Sequence, residues 1–320
     1  MKYGGIIAVL ILAIGGFYFF EQKEIASIRT ISSEDLANPV HLNEDVVALV
    51  HTKVVRNSNH EEGLNEAAEY IRKEWEAAGY AVVEQKFVAN QKIYKNLMTS
   101  FGPVDGPRIV IGAHYDVAGE APGADDNASG VAGLLELSRL LRKRLPDLKS
   151  RVDLVAYTLE EPPFFRTAFM GSAVHAQSLK AAGVDVRLML SLEMLGFYSD
   201  EPGSQKFPHK ILGTVYPTVG HFISVIGDYT SPFLVRKVKV LMQANSKISV
   251  EGLAAPKALV GIDFSDHRSY WEQGYPAVMI TDTAFFRNNN YHEITDTPET
   301  LNYEKMAEAV EAIYGVVTNF

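Results

Sequence analysis

The 320-residue chain contains no cysteine. It therefore has no disulfide, no thiolate nucleophile, no lipidated N-terminal cysteine and no Cys-ligated zinc, and any bound metal must be held by His, Asp and Glu. Cysteine-free proteins occur in reducing and oxidising compartments alike, so this absence does not place the protein. Positive charge is also in short supply. Thirty Lys and Arg face 39 Asp and Glu, for a formal net charge of -9, and no basic block interrupts the chain. Electrostatic capture of nucleic acid needs clustered Lys and Arg, so no nucleic-acid partner is expected. Internal repeats and low-complexity tracts are missing. The Gly-x-Ser-x-Gly elbow of many serine hydrolases, the P-loop and the dinucleotide fingerprint are missing too.

What is present suits a substantial core: 47% of the residues are hydrophobic, enough for one large α/β domain or two modest ones. Residues 4–20, GGIIAVLILAIGGFYFF, carry no charge and follow Met1-Lys2-Tyr3. They read as an N-terminal membrane helix or an export signal. The run ends in bulky aromatics without a small-x-small cleavage site, which favours an uncleaved anchor over a cleaved signal peptide. In either case the remainder is exported, to the periplasm or beyond the cell. The expected organisation is an anchor over 1–22, a polar linker over 23–40 with a turn at Asn38-Pro39, and a folded domain over 41–320.

Within that domain Leu64, Ala67, Ala68, Ile71, Trp75 and Ala78 recur at helical spacing between Asn59, a good N-cap, and Gly79, a natural terminator. Strands are predicted over 81–87, 95–99, 108–113, 152–158, 186–192 and 277–281. Helices are predicted over 129–144, 171–182, 232–245, 265–273 and 303–317. The alternation predicts a mostly parallel central sheet with helices on both faces and an antiparallel hairpin at one edge. In such sheets the ligand site forms outside the carboxyl ends of the strands.

Three predicted strands end in ligating side chains. Residues 108–113 run into His114-Tyr115-Asp116, 152–158 into Glu160-Glu161, and 186–192 into Glu193. A metal-bound imidazole needs its second ring nitrogen held by an acceptor, and Asp116, two residues beyond His114, is placed to serve. The loop Gly123-Ala124-Asp125-Asp126-Asn127-Ala128-Ser129-Gly130 enters a helix with more acid than capping requires. Neighbouring carboxylates at a strand end point in different directions, so one of Glu160 and Glu161 can bind metal while the other faces substrate. Asn290-Tyr291-His292 adds the second imidazole that a borderline metal such as Zn2+ prefers.

Taken in order, GAHYD, GADDNASG, the Glu160-Glu161 pair, SLEML and NYHEITDTP resemble the motifs of the di-zinc exopeptidase family that includes the bacterial leucyl aminopeptidases, within the aminopeptidase Y and glutamate carboxypeptidase-like superfamily. The resemblance spans roughly residues 45–310. It implies the phosphorylase/hydrolase-like zinc exopeptidase fold, a peptide substrate and two Zn2+ per chain. By motif, His114, Asp126 and Glu193 match the ligands of one zinc, and Asp126, Glu161 and His292 those of the other, with Asp126 as the bridge and Asp125 supporting the loop. Glu160 matches the general base, and Tyr291 a position that can donate to the oxyanion. Glu193 departs from the pattern, since many relatives have Asp there.

Several residues are read outside this set. Asp266 reads as a helix cap, His267 as a surface or core histidine, and His175, His209 and His221 as structural. Glu136 reads as a charge on a helix face. Arg287 is read either as the partner of a substrate carboxylate, as in a carboxypeptidase, or as part of an ion pair. The stretch between Glu193 and Asp266 is expected to wall the substrate cleft. The competing expectations are a glutaminyl cyclase-like acyltransferase and a non-catalytic ectodomain.

Overall fold

In a computed structural model of the protein, Ile28, Ser32 and residues 36–142 and 148–320 are described. The apolar run 4–20, and with it the expected membrane helix, lies outside the described residues. Among the described residues no helix is long and apolar enough to cross a membrane. Asn38-Pro39, expected as a turn, instead opens helix α1 (Pro39–Val50): the Asn38 side chain accepts the Val40 N–H, and Pro39 sits in the first turn, where its missing donor costs nothing. Helix α2 (Glu61–Ala77) starts after His60 rather than Asn59, whose N–H bonds the Asn57 side chain. It ends where predicted, at Gly79 with φ +85°.

Eight strands form one sheet in the order β1-β2-β4-β3-β5-β8-β6-β7. Their ranges are β1 (Val83–Ala89), β2 (Lys92–Phe101), β3 (Arg108–His114), β4 (Arg151–Tyr157), β5 (Val186–Glu193), β6 (Phe222–Asp228), β7 (Ser249–Ala255) and β8 (Ala277–Thr281). β4, β3, β5 and β8 run parallel, β1 and β2 make the expected antiparallel edge hairpin, and β8 pairs antiparallel with β6. β6 and β7 were not predicted. Every residue of β6 is buried, so it lacks the alternation that marks a half-buried strand, and β7 carries Gly252 and two alanines with little strand propensity.

Alternation within β3 divides the core. Ile109 and Ile111 pack on the face covered by α1, α2, α3 (Gly130–Arg142), α5 (Pro232–Asn245) and α7 (Tyr303–Asn319). Val110 packs on the opposite face with α4 (Gly171–Ala181) and α6 (His267–Glu272). Trp75 and Leu134 are fully buried on the larger face. Truncating a side chain as large as Trp75 there costs roughly 3–5 kcal/mol. Glu136, expected on an exposed helix face, is buried in α3: it accepts the Asn38 N–H at 2.8 Å and pairs with Arg139 at 3.2 Å, which ties α1 to the core.

On the smaller face His175 is buried against the Tyr270 hydroxyl, 2.6 Å from its Nδ1. Burial lowers its pKa to about 4. The unfolded chain therefore takes up a proton on this histidine near pH 6.5 while the folded chain resists until about pH 4, so stability is greatest above that window and falls as pH drops through it. Between pH 7 and pH 5 this histidine alone should remove about 2 kcal/mol of unfolding free energy. Urea unfolding at the two pH values should show the parent losing that much more than His175→Gln; equal losses would refute the assignment.

Candidate active site

The parallel strands deliver their C-terminal ends to one rim, and that rim carries the chemistry. His114 ends β3 and Glu193 ends β5, while Glu160 and Glu161 follow β4. All four side chains are buried. The role expected of Asp116 is extended here. His114 Nδ1 lies 3.1 Å from the Asp116 backbone carbonyl and 3.6 Å from its carboxylate. The carboxylate also accepts the N–H groups of Glu160 at 3.1 Å and Glu161 at 3.0 Å. Residue 116 thus faces the imidazole with both its main chain and its carboxylate, and the same carboxylate holds the backbone of the glutamate pair.

The acidic loop is held from several sides. Gly123 has φ +65°, and a Cβ there would collide with Val117, the Asp126 carbonyl and Arg56. Asp296 accepts the N–H groups of Asp125 at 2.9 Å and Asp126 at 3.1 Å. Asn127 bonds the Leu192 carbonyl and the Met194 N–H, which joins the loop to the end of β5. The Asp125 carboxylate is consumed within the scaffold, accepting from Gly196 N at 2.9 Å and Asn288 Nδ2 at 2.7 Å. Behind the loop, the buried Arg56 guanidinium donates to the carbonyls of Leu49, Tyr115, Pro122 and Gly123. Burial lowers its pKa to about 10, which still leaves a cation beside Asp296, Asp126 and Asp116.

What this leaves exposed to the site is the Asp126 carboxylate, aimed two ways. Its Oδ1 lies 3.4 Å from His114 Nε2, and its Oδ2 lies 3.1 Å from His292 Nε2. Glu193 Oε2 is 3.4 Å from the same His114 nitrogen, and Glu161 Oε1 is 3.3 Å from the same His292 nitrogen. A tetrahedral ion with bonds near 2.1 Å keeps its donors about 3.4 Å apart. His114-Asp126-Glu193 and Asp126-Glu161-His292 could therefore each hold one ion, sharing Asp126. His114 also clusters with Glu160 and Glu161, but its Nε2 lies a looser 3.9 Å from Glu160.

Hydrogen bonding and charge favour the same occupants. His114 Nε2, Asp126 Oδ1 and Glu161 Oε1 are buried without a hydrogen bond, a state that costs about 1–3 kcal/mol per atom unless something else satisfies it. Burial pushes the Glu161 pKa up to about 7, with the Asp126 charge adding to the rise, and it raises Glu160 and Glu193 as well. Burial alone would lower the His292 pKa, but hydrogen bonds to Asp126 and Glu161 hold it at about 10. His114 is likewise held well above its ordinary value by Glu193 and Glu160, against the effect of burial. A cluster that draws protons this strongly has the charge deficit that a divalent cation relieves. The residues present therefore fit a metal pair bound by N and O donors.

Asp266 and Arg287 depart from the sequence reading. Asp266 makes no capping bond, and neither of its buried oxygens has a hydrogen bond. Burial raises its pKa to about 7, and the charges of Glu193 and Asp116 bear on it across the site. His267 is a core residue, 2.8 Å from the Ile262 carbonyl and packed edge-on to Trp271. Arg287 does not reach toward substrate. Its buried guanidinium donates to Gln205 at 2.9 Å and to the carbonyls of Phe222 at 2.8 Å and Phe197 at 3.2 Å.

Sequence reasoning missed three supports: Asp296 beneath the loop, Arg56 behind it, and Ser265, which donates to Glu193 Oε2 at 2.6 Å. Asp296 lies inside the NYHEITDTP motif, so that signal was available; Arg56, in an unremarkable run, offered none. Beside Glu193 and Tyr291 opens a pocket with largely apolar walls. Tyr291 stacks on His292 with ring centroids 3.8 Å apart. As expected, parts of the long stretch after Glu193 wall this pocket, including Phe207, Leu212 and Phe264.

The chain also matches known proteins. The family model for Peptidase family M28 matches residues 96–317. The chain is 46% identical over 291 residues to the uncharacterized protein YfbL of Escherichia coli K12, covering 88% of each. It is 26% identical over 340 residues to leucine aminopeptidase 1 of Leptosphaeria maculans, covering 95% of this chain and 81% of that one. Among solved structures, the fold is similar to the LapA aminopeptidase of Legionella pneumophila (TM-score 0.70, 21% identity, 88% and 71% coverage). It is also similar to a glutaminyl cyclase of Bacteroides thetaiotaomicron (TM-score 0.65, 17% identity, 89% and 99% coverage).

The support beneath the loop can be tested by itself. Asp296→Ala should lower zinc affinity about 10- to 100-fold, measured by titration against a competing chelator, with circular dichroism unchanged. Unaltered affinity would show that the loop holds its shape without this carboxylate.

Proposed function

The chain belongs to Peptidase family M28, as the match over residues 96–317 establishes, and on that premise we propose that this hydrolase is a two-zinc aminopeptidase. The observation that supports the reading most directly is the pair of donor triads sharing Asp126, one carboxylate oxygen turned to each imidazole. His114, Asp126 and Glu193 would hold one zinc and Asp126, Glu161 and His292 the other. Bound zinc supplies a water of lowered pKa and polarises the scissile carbonyl.

Glu160 then acts as the general base. Its backbone is pinned by Asp116, and burial raises its carboxyl toward the range in which a proton can be both taken and returned. It removes the proton from the attacking water and passes it to the departing amine. Tyr291 is kept as a phenol by burial and by the neighbouring carboxylates, and it is available to donate to the developing oxyanion. The substrate is a peptide with a free N-terminus, in keeping with the leucine aminopeptidase among the relatives. We place the domain outside the cytoplasm, anchored by residues 4–20, on the strength of that uncharged run. Glutaminyl cyclases share the fold, but the doubled donor set favours water activation over cyclisation.

Glu160→Gln should reduce kcat on a free-amine peptide roughly 10²- to 10⁴-fold while the protein keeps its zinc. Full-rate turnover by that variant would sink the assigned base. Removing metal with a chelator should abolish hydrolysis and adding Zn2+ should restore it. A panel of free-amine, N-acetylated and N-terminal Gln peptides separates the readings: hydrolysis of the first class alone supports the aminopeptidase, and cyclisation of Gln peptides without hydrolysis replaces it.

A further inference from the structure

The pocket beside Glu193 has a floor set by strand register. Glu193 pairs with Thr281, Thr281 with Ser224, and Ser224 with Glu251, so these four residues form one lateral row across β5, β8, β6 and β7. All four line the pocket. With strands about 4.8 Å apart, Ser224 stands roughly 10 Å from Glu193 and Glu251 roughly 14 Å. The furrow therefore leads away from the metal site and offers a place for the side chain of a residue whose carbonyl sits there.

Its walls are aromatic. Phe264, Phe285 and Tyr291 form one run with centroid separations of 6.1 and 5.3 Å, and Phe207 packs on Tyr216 at 6.4 Å. A leucine side chain would leave the far part of such a furrow empty and forfeit its contacts, whereas a flat ring fills it and meets aromatic neighbours.

Charge decides what the tip of that side chain can be. Glu251 is paired with Lys239 at 3.4 Å, and Lys206, on the same lining, makes no ion pair among the described residues. Apart from Glu193, which is assigned to the metal site, the furrow thus offers no unpaired carboxylate to a lysine or arginine. Thr281 Oγ1 already accepts the Thr283 N–H at 2.9 Å. Ser224 is 4% exposed, and its hydroxyl makes no hydrogen bond among the described residues. A phenol hydroxyl stands about 6.5 Å from its Cα, a length that suits a row in which Ser224 lies roughly 10 Å from Glu193.

We propose that this furrow takes the side chain of an aromatic N-terminal residue and that Ser224 is a specificity-determining residue that hydrogen-bonds a tyrosine hydroxyl. The assignment rests on the aminopeptidase reading and names its substrate class. The test uses the zinc-loaded full chain with the p-nitroanilides of Tyr, Phe, Leu, Ala and Lys. Tyr and Phe should exceed Leu in kcat/KM by about tenfold, with Ala and Lys lower still. Ser224→Ala should bring the Tyr to Phe ratio down to about one. Ser224→Leu, which shortens the furrow, should lower the Phe to Leu ratio at least tenfold. Leu or Lys as the best substrate, or serine variants that scale all substrates equally, would overturn the assignment while leaving the aminopeptidase reading intact. Failure of the zinc-loaded protein to cleave any free-amine substrate would overturn the aminopeptidase reading and this assignment together.

Discussion

Asp126 stands between two imidazoles with neither oxygen committed to the scaffold, and the rest of the rim is arranged to keep it there. A carboxylate in that position meets Glu161 and Glu193 at close quarters, all of them buried. Like charges so confined repel, and water cannot relieve them. The fold must hold these groups against their own repulsion, which explains the density of supports under a short loop: Asp296 on its N–H groups, Asn127 on β5, and Arg56 on its carbonyls. Arg56 contributes both bonds and charge, donating to carbonyls on either side of the loop's start beside Asp296, Asp126 and Asp116.

The sheet determines where these pieces meet. Because β3, β4 and β5 run parallel, their carboxyl ends arrive together, and short loops suffice to carry His114, Glu160, Glu161 and Glu193 to a common point. The antiparallel β6, followed by the edge strand β7, extends the same sheet beyond the metal site. That extension supplies the floor of the adjoining pocket, so the donor cluster and the pocket rest on one continuous hydrogen-bonded layer. Residues at its far edge can change without disturbing the donors at its centre.

Much of this was legible in the sequence, and the omissions have physical causes. β3, β4 and β5 are legible because apolar runs lead abruptly into ligating residues, and β8 because its apolar run stands alone between turn signals. β6 was missed because a strand buried on both faces shows no alternation, and α1 because Asn38-Pro39 reads equally as a turn and as a helix start. The donor side chains were all named in advance, and the structure brings all of them together. Their supports were harder to see. Spacing places Asp116 beside His114, and its carboxylate also serves Glu160 and Glu161 beyond the end of β4, a relation that only tertiary structure creates. Asp266 precedes a helix and so reads as a cap; its burial, invisible in sequence, leaves it without a capping bond.

The claim on which this account rests is that one carboxylate serves two ions. Metal content measured by mass spectrometry on the purified full chain and on Asp126→Ala addresses it directly. The parent should carry two zinc ions per chain, and the variant, deprived of the shared donor, should retain less than one while keeping its circular dichroism spectrum. Two ions retained in the variant, or a single ion in the parent after saturation with zinc, would contradict the shared site.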